Sequence, residues 1–344
     1  MNLTKGILLA VTFMVVFFSS FLAVYIEREL SRPLVVSEPT FFEVKRGATI
    51  GSVAHSLTEL DVLPVSNRLF RYYGGFTGDD GPIRVGEYQL VPGMDTRGLL
   101  QLLRSGKVRQ RQITFPEGWT FLRWRDHIRA KQDIKQTLES VTDSGLMNLI
   151  GYPRLHPEGQ FFPDTYHYTK GEADIDILRR AHEKMKSVVE DQWQSRTIGE
   201  VLESPYEALI LASIVEKETG FPPDRSPVAR VFLNRLSKNI RLQSDPTVIY
   251  GLGPDFDGNL RRSHLKDDHP YNTYVHEALP PTPICMPGKA AITATLHAEP
   301  GAYQFFVAKG DGSSHFSMNL AEHNEAVRQY QKQGRISDYR SSRP

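Results

Sequence analysis

An apolar run that ends in two glutamates is the stretch of this sequence best equipped for chemistry. In residues 204–220, SPYEALILASIVEKETG, Ala208 to Val215 is apolar on every side, and Glu216 and Glu218 follow directly. A helix that is apolar all round is a buried one. A carboxyl set against it loses water, and desolvation raises its pKa toward neutrality, as a general acid requires. The structural alternative is a solvated last turn, although acids there oppose the helix dipole. Glu216 continues the stripe Ala208, Ala212, whose small side chains leave room for a ligand. Glu218 follows the bulkier Leu211, Ile214 and Val215 and is expected to pack inward. Glu216 is therefore the expected catalytic acid.

Polar residues with little net charge gather downstream. The stretch LQSDPTVIYG carries Gln243, Ser244, Asp245, Thr247 and Tyr250, and PYNTY carries Asn272 and Tyr274. Upstream, the aromatic, turn-rich EGQFFPDTY opens with Glu158 and reads equally well as a loop folded onto the core. Amides, hydroxyls and aromatic faces are how sugar hydroxyls are held, and these eight residues are the expected substrate contacts. His315, Glu322 and His323 are the nearest approach to a metal set, but their spacing matches no zinc-binding helix. The single cysteine, Cys285, excludes an intramolecular disulfide and a Cys-cluster metal site. No metal and no other cofactor is expected.

The elements that must position these residues are legible in turn. Ser204 and Glu207 form an S-x-x-E capping box with Pro205 at the first helical position, and Gly220 with Pro222 ends the helix. Arg230 to Leu236 is a second amphipathic helix. Tyr303 to Ala308, the turn Gly310-Asp311-Gly312 and His315 to Ser317 read as a β-hairpin, followed by a helix from Leu320 to Gln331 and a polar tail over 335–344. Nearer the N-terminus, a compact α+β module over 41–107 is expected. In it, Phe41 to Val44 and Gly86 to Leu90 are strands, while Thr49 to Leu57 and Thr96 to Leu103 are helices. A partial echo follows at 112–130, with a strand at Ile113 to Phe115 and a helix from Phe121, and residues 131–200 are charged and helical. The fold class is α+β, with a second domain over 108–334.

Residues 7–26, ILLAVTFMVVFFSSFLAVYI, span about 30 Å as a helix, the thickness of a bilayer core. Lys5 precedes them, and Glu27, Arg28, Glu29 and Arg32 follow with no net charge. A transmembrane anchor is expected, with 1–6 cytoplasmic, 27–40 a linker and the rest exported. A signal peptide cleaved near Ser19 to Ala23 is the alternative. Lys+Arg total 41 against Asp+Glu 40, so no basic excess points to nucleic acid as a partner.

Several blocks in this order resemble the YceG-like family: ASIVEKET at 212–219, VFLNRL at 231–236, LQSDPTVIYG at 242–251, YNTY at 271–274, LPPTPI at 279–284, and Gly310-Asp311-Gly312 through His315-Phe316-Ser317. The resemblance covers essentially the whole chain. It implies an endolytic murein (peptidoglycan) lytic transglycosylase of the bacterial inner membrane, with its catalytic domain in the periplasm. Residues 41–107 would be a LysM-like subdomain and 108–334 the YceG-like catalytic domain. The family's acid would fall on Glu216, the first Glu of Glu-Lys-Glu-Thr. Such an enzyme would act on nascent glycan strands, beside peptidoglycan synthases, as a terminator of elongation. In LPPTPI, Leu279 and Thr282 stand where family members commonly have glycine. Three other readings remain. One is a non-catalytic glycan-binding scaffold, another a muramidase in which Asp245 activates water beside Glu216. The third is a metal-dependent amidase built on His315 and His323.

Overall fold

The computed structural model describes residues 3–76, 81–199 and 201–333. The first two residues and the expected polar tail over 335–344 lie outside them. The chain divides into two compact units at Arg111/Gln112.

The first unit opens with α1 (Leu3–Leu30), 28 residues long. From Lys5 to Leu30 it is long and apolar enough to cross a membrane, and none of its apolar window is buried in protein. After it come β1 (Thr40–Val44), α2 (Ile50–Glu59), α3 (Asn67–Phe76), β2 (Gly86–Leu90) and α4 (Thr96–Ser105). The two strands pair antiparallel, with Phe42 opposite Tyr88 and Thr40 opposite Leu90. Their alternation turns Phe42, Val44, Tyr88 and Leu90 inward, onto Leu57, Phe70, Leu99 and Leu103 from the helices. Thr49 and Ser52 cap α2 reciprocally, and Asp95 caps α4 by accepting the Gly98 N–H at 2.7 Å. The stretch expected to be a linker is partly structured. Helix α1 continues through Leu30, and Leu34 is buried in this core with its N–H on the Met94 carbonyl at 2.7 Å.

The second unit holds β3 (Arg111–Thr114), α5 (Phe121–Arg129), α6 (Asp143–Leu149), β4 (Thr165–Tyr168), α7 (Asp174–Gln194), α8 (Pro205–Glu218), α9 (Arg225–Leu236), α10 (Asp245–Leu252), α11 (Lys289–Leu296), β5 (Phe305–Ala308), β6 (Ser314–Ser317) and α12 (Leu320–Val327). Here β3 pairs with β4, and β5 with β6 in an antiparallel hairpin. Two hydrophobic cores result. One, around Phe115, Trp124, Phe161 and Ile177, joins β3, α5 and the start of α7. The other surrounds α8, whose Ala208 to Val215 are all buried among α7, α9 and α11. An α+β architecture thus carries short strand pairs on a mainly helical frame. The polar stretch from Asp245 is helical, not a loop: Asp245 and Pro246 open α10, where a missing proline N–H is no loss.

Candidate active site

Helix α8 begins at the expected Ser204 cap, with the second hydrogen bond falling one residue earlier than a capping box places it. Ser204 accepts the Glu207 N–H at 3.2 Å, and the Glu207 carboxylate reaches back to the Glu203 N–H at 2.7 Å. Mid-helix, the buried Ser213 hydroxyl donates to the Ile210 carbonyl at 2.7 Å and accepts the Ile284 N–H at 2.9 Å. The helix is thereby tied to the Leu279 to Ile284 loop. It ends with Glu216 and Glu218, about 200° apart around the axis and so on different sides.

The two carboxylates meet different surroundings. Glu216 accepts the Gly288 N–H at 3.0 Å and lies 3.6 Å from the Arg225 guanidinium, which also reaches Glu117 at 4.0 Å. Burial raises its pKa, while the Gly288 hydrogen bond and Arg225 pull the other way. None of the eight expected substrate contacts is among these partners.

Glu218 points to the other group of polar residues. It accepts the Ser244 hydroxyl at 2.5 Å. Burial pushes its pKa up to about 7, with Asp245 adding to the rise and Ser244 and Arg235 opposing it. Asp245 accepts the Tyr274 hydroxyl at 2.6 Å. Ser244, Asp245 and Tyr274 therefore converge on Glu218, the residue that the stripe argument turned inward.

The loop carrying Ser244 is fixed from below. Gln243 is exposed and adopts a left-handed backbone, φ 53°, a conformation uncommon outside glycine. Its N–H bonds the Thr273 carbonyl at 3.0 Å, and the Ser244 N–H bonds the Thr273 hydroxyl at 2.9 Å. Buried Arg235 donates to the carbonyls of Leu242 at 2.8 Å and Arg241 at 3.2 Å, and to Gln304 on the hairpin side at 2.8 Å. Thr247 and Asn272, expected as sugar contacts, are spent within the protein. Thr247 donates to the Ser244 carbonyl at 2.7 Å, and the Asn272 amide donates to the carbonyls of Asp267 and His264 at 2.7 and 3.0 Å. Both shape the loop from behind.

Glu158 and Tyr250 form a third grouping. The Glu158 carboxylate accepts the Phe121 N–H at 3.0 Å and the Tyr250 hydroxyl at 3.0 Å, and burial pushes its pKa up to about 7. Gly159, next to it, holds φ 78° with a Cβ position only 2.5 Å from Pro283, so no side chain fits. Thr282 of LPPTPI donates to the Pro283 carbonyl at 2.8 Å and shares a 2.7 Å hydrogen bond with Tyr271. Of His315, Glu322 and His323, the nearest approach to a metal set, His323 stacks on Phe305 and His315 lies against Tyr330. Among the described residues no group of three or more His, Cys, Asp or Glu is gathered as a metal site would need.

Sequence reasoning passed over Arg235 and Thr273. Arg235 lay in the expected helix at 230–236 and Thr273 in the YNTY block, but nothing local marks side chains that tie the 242–244 loop to Gln304 and to the 271–274 segment.

A model of the YceG-like family matches residues 42–329. A protein of Bacillus subtilis named endolytic murein transglycosylase is 32% identical over 305 residues, spanning 83% of each chain. One of the same name from Streptococcus pneumoniae is 27% identical over 285 residues, which are 72% of this chain and 51% of that one. A crystal structure of a YceG-like protein from Listeria monocytogenes superimposes with a TM-score of 0.54 at 29% identity, covering 84% of this chain and 99% of that one.

Proposed function

The chain belongs to the YceG-like family, and from that premise we propose that it is a membrane-anchored endolytic lytic transglycosylase of peptidoglycan with Glu218 as its acid. The observation that carries the choice of acid is the convergence of Ser244, Asp245 and Tyr274 on the Glu218 carboxyl, whose pKa stands near 7.

The reaction needs one carboxyl because the substrate supplies its own nucleophile. Protonated Glu218 gives its proton to the oxygen linking N-acetylmuramic acid to N-acetylglucosamine as the C1–O bond breaks. Positive charge develops at C1, and the Asp245 carboxylate, hydrogen-bonded by Tyr274 and near enough to Glu218 to raise its pKa, would offset it. The muramoyl C6 hydroxyl then closes onto C1, and its proton returns to Glu218. Bonds and protons balance without water, and the acid is regenerated. A pKa near 7 suits a group that must both give and take a proton. Exposed Gln243 would contact the glycan.

Helix α1 supports a single-pass inner-membrane anchor with the second unit in the periplasm, where nascent strands emerge beside the synthases. A hydrolytic alternative draws on the same pair of carboxylates, Asp245 activating water beside Glu218. Digestion of purified glycan strands by the detergent-solubilised full chain, read by mass spectrometry, decides. Anhydromuramoyl ends, one water lighter than reducing ends and lost in Glu218→Gln, are expected. Reducing ends would assign the hydrolase, and binding without cleavage would leave a scaffold.

A further inference from the structure

A cavity of about 930 Å³ opens in the second unit between α5, α10 and the end of α8. It runs along the face of α10 that bears Pro246, Ile249, Tyr250 and Gly253, and Lys217 also lines it. Lys217, the neighbour of Glu218 in the last turn of α8, and Pro246, the neighbour of Asp245 in the first turn of α10, both line it, so the cavity reaches the two helix ends that carry the proposed acid and Asp245. Its volume falls in the range of sites that enclose a small ligand, about 300–1,000 Å³.

Around Glu218 the partners are the Ser244 hydroxyl, the Tyr274–Asp245 pair and the Arg235 charge. The cavity adds apolar surface to charge: Lys217 and an Arg125–Asp143 ion pair at 2.6 Å line it together with Leu122, Ile249 and Tyr250 as apolar wall. Part of that wall is preformed. Tyr250 is held by Glu158 at 3.0 Å and packs on Tyr271 with ring centroids 4.9 Å apart, and Tyr271 is held in turn by Thr282.

We propose that this cavity binds the peptide stem of the glycan strand and makes the enzyme select peptide-bearing muramoyl residues at the cleavage site. The inference rests on the peptidoglycan reading above. The stem leaves the lactyl ether on C3 of the muramoyl ring, the ring whose C1 bond is broken. It must therefore depart within about one sugar's width of the acid. A stem is a short peptide with apolar methyl groups, free carboxylates and, where a diamino acid is present, an ammonium. Lys217 complements a carboxylate next to the sugar, and the half-exposed Asp143, beside Arg125, meets charges of either sign further out. Neutral sugar would make no use of these charges or of the apolar wall beside them.

The test separates binding from turnover. Full-length Glu218→Gln in detergent is titrated with a muramoyl disaccharide carrying its peptide and with the same disaccharide after amidase removal of the peptide. The peptide-bearing ligand is expected to bind about tenfold more tightly, about 1.4 kcal/mol. That preference should fall severalfold when Leu122→Glu, at a position 58% exposed on the rim, or Lys217→Ala is added. Equal affinity for the two ligands, or a preference that both additional substitutions leave intact, overturns the site. Wild type is then given peptide-bearing and peptide-free strands. A higher kcat/KM on the first, narrowed in Leu122→Glu, supports the site whatever ends are made. Anhydro ends formed at equal kcat/KM on both strands would remove the peptide site and keep the transglycosylase. A peptide preference without anhydro ends would do the reverse.

Discussion

Glu216 and Glu218 are two residues apart, and substitution separates their roles. Glu218→Gln removes the proton but keeps the shape, so kcat is expected to fall by at least about 10²–10⁴-fold. Glu216→Gln still accepts the Gly288 N–H, and a loss below about tenfold is expected in the same strand-digestion assay. The acid must be protonated to act, so kcat/KM should decline with rising pH through an apparent pKa near 7. The Ser244 hydrogen bond favours the ionised form, and Ser244→Ala should move that alkaline limb to higher pH. Stability follows the same sign. The folded pKa of Glu218 lies above its ordinary 4.5, so the native state binds more protons than the unfolded state between about pH 4.5 and 7. Its contribution is full below the lower value and is lost as pH rises through the upper one. Glu218→Gln, which cannot ionise, should therefore gain on wild type from pH 5 to pH 8, by about 1–3 kcal/mol in denaturant unfolding.

At the scale of elements, α8 holds the acid by what surrounds it. Its apolar residues are buried on every side, and Ser213 links it to the loop that carries Thr282 and Ile284. Ser213→Ala would leave the buried Ile284 N–H without its acceptor, at a cost of about 1–3 kcal/mol, measurable as a lowered denaturant midpoint. Opposite α8, the N-terminus of α10 presents Ser244 and Asp245 because Thr273 and Arg235 fix the preceding residues in a backbone that Gln243 would not otherwise favour. Placement of the hydroxyl on the acid is thus a property of three segments acting together.

For the whole molecule, α1 and the second unit have separate tasks. A 28-residue helix is about 42 Å long, enough to span a bilayer core with some to spare. The full chain is expected to remain with membranes through alkaline carbonate extraction, and a chain lacking residues 1–25 to be released while still making anhydro ends from solubilised strands. Recovery of the full chain in the soluble fraction, shortened by about 20 residues, would instead identify a cleaved signal peptide.

The buried acid-bearing helix, the apolar N-terminal span and the α+β element order were legible in the sequence because each rests on local pattern: hydropathy period, caps and turn residues. The clustering of Ser244, Asp245 and Tyr274 was also legible from their type and density. Which glutamate they gather beside was not. The stripe argument assumes a helix with one ligand-facing side and one packed side, and α8 is enclosed all round, so small or bulky neighbours along its axis do not tell which side faces substrate. That depends on where α10 and the Thr273 segment dock and where Arg225 and Gly288 come to rest, contacts made across 26 and 72 residues of chain for Ser244 and Gly288. Long-range packing alone decided which carboxyl received the Arg225 counter-ion and which received the Ser244 hydroxyl.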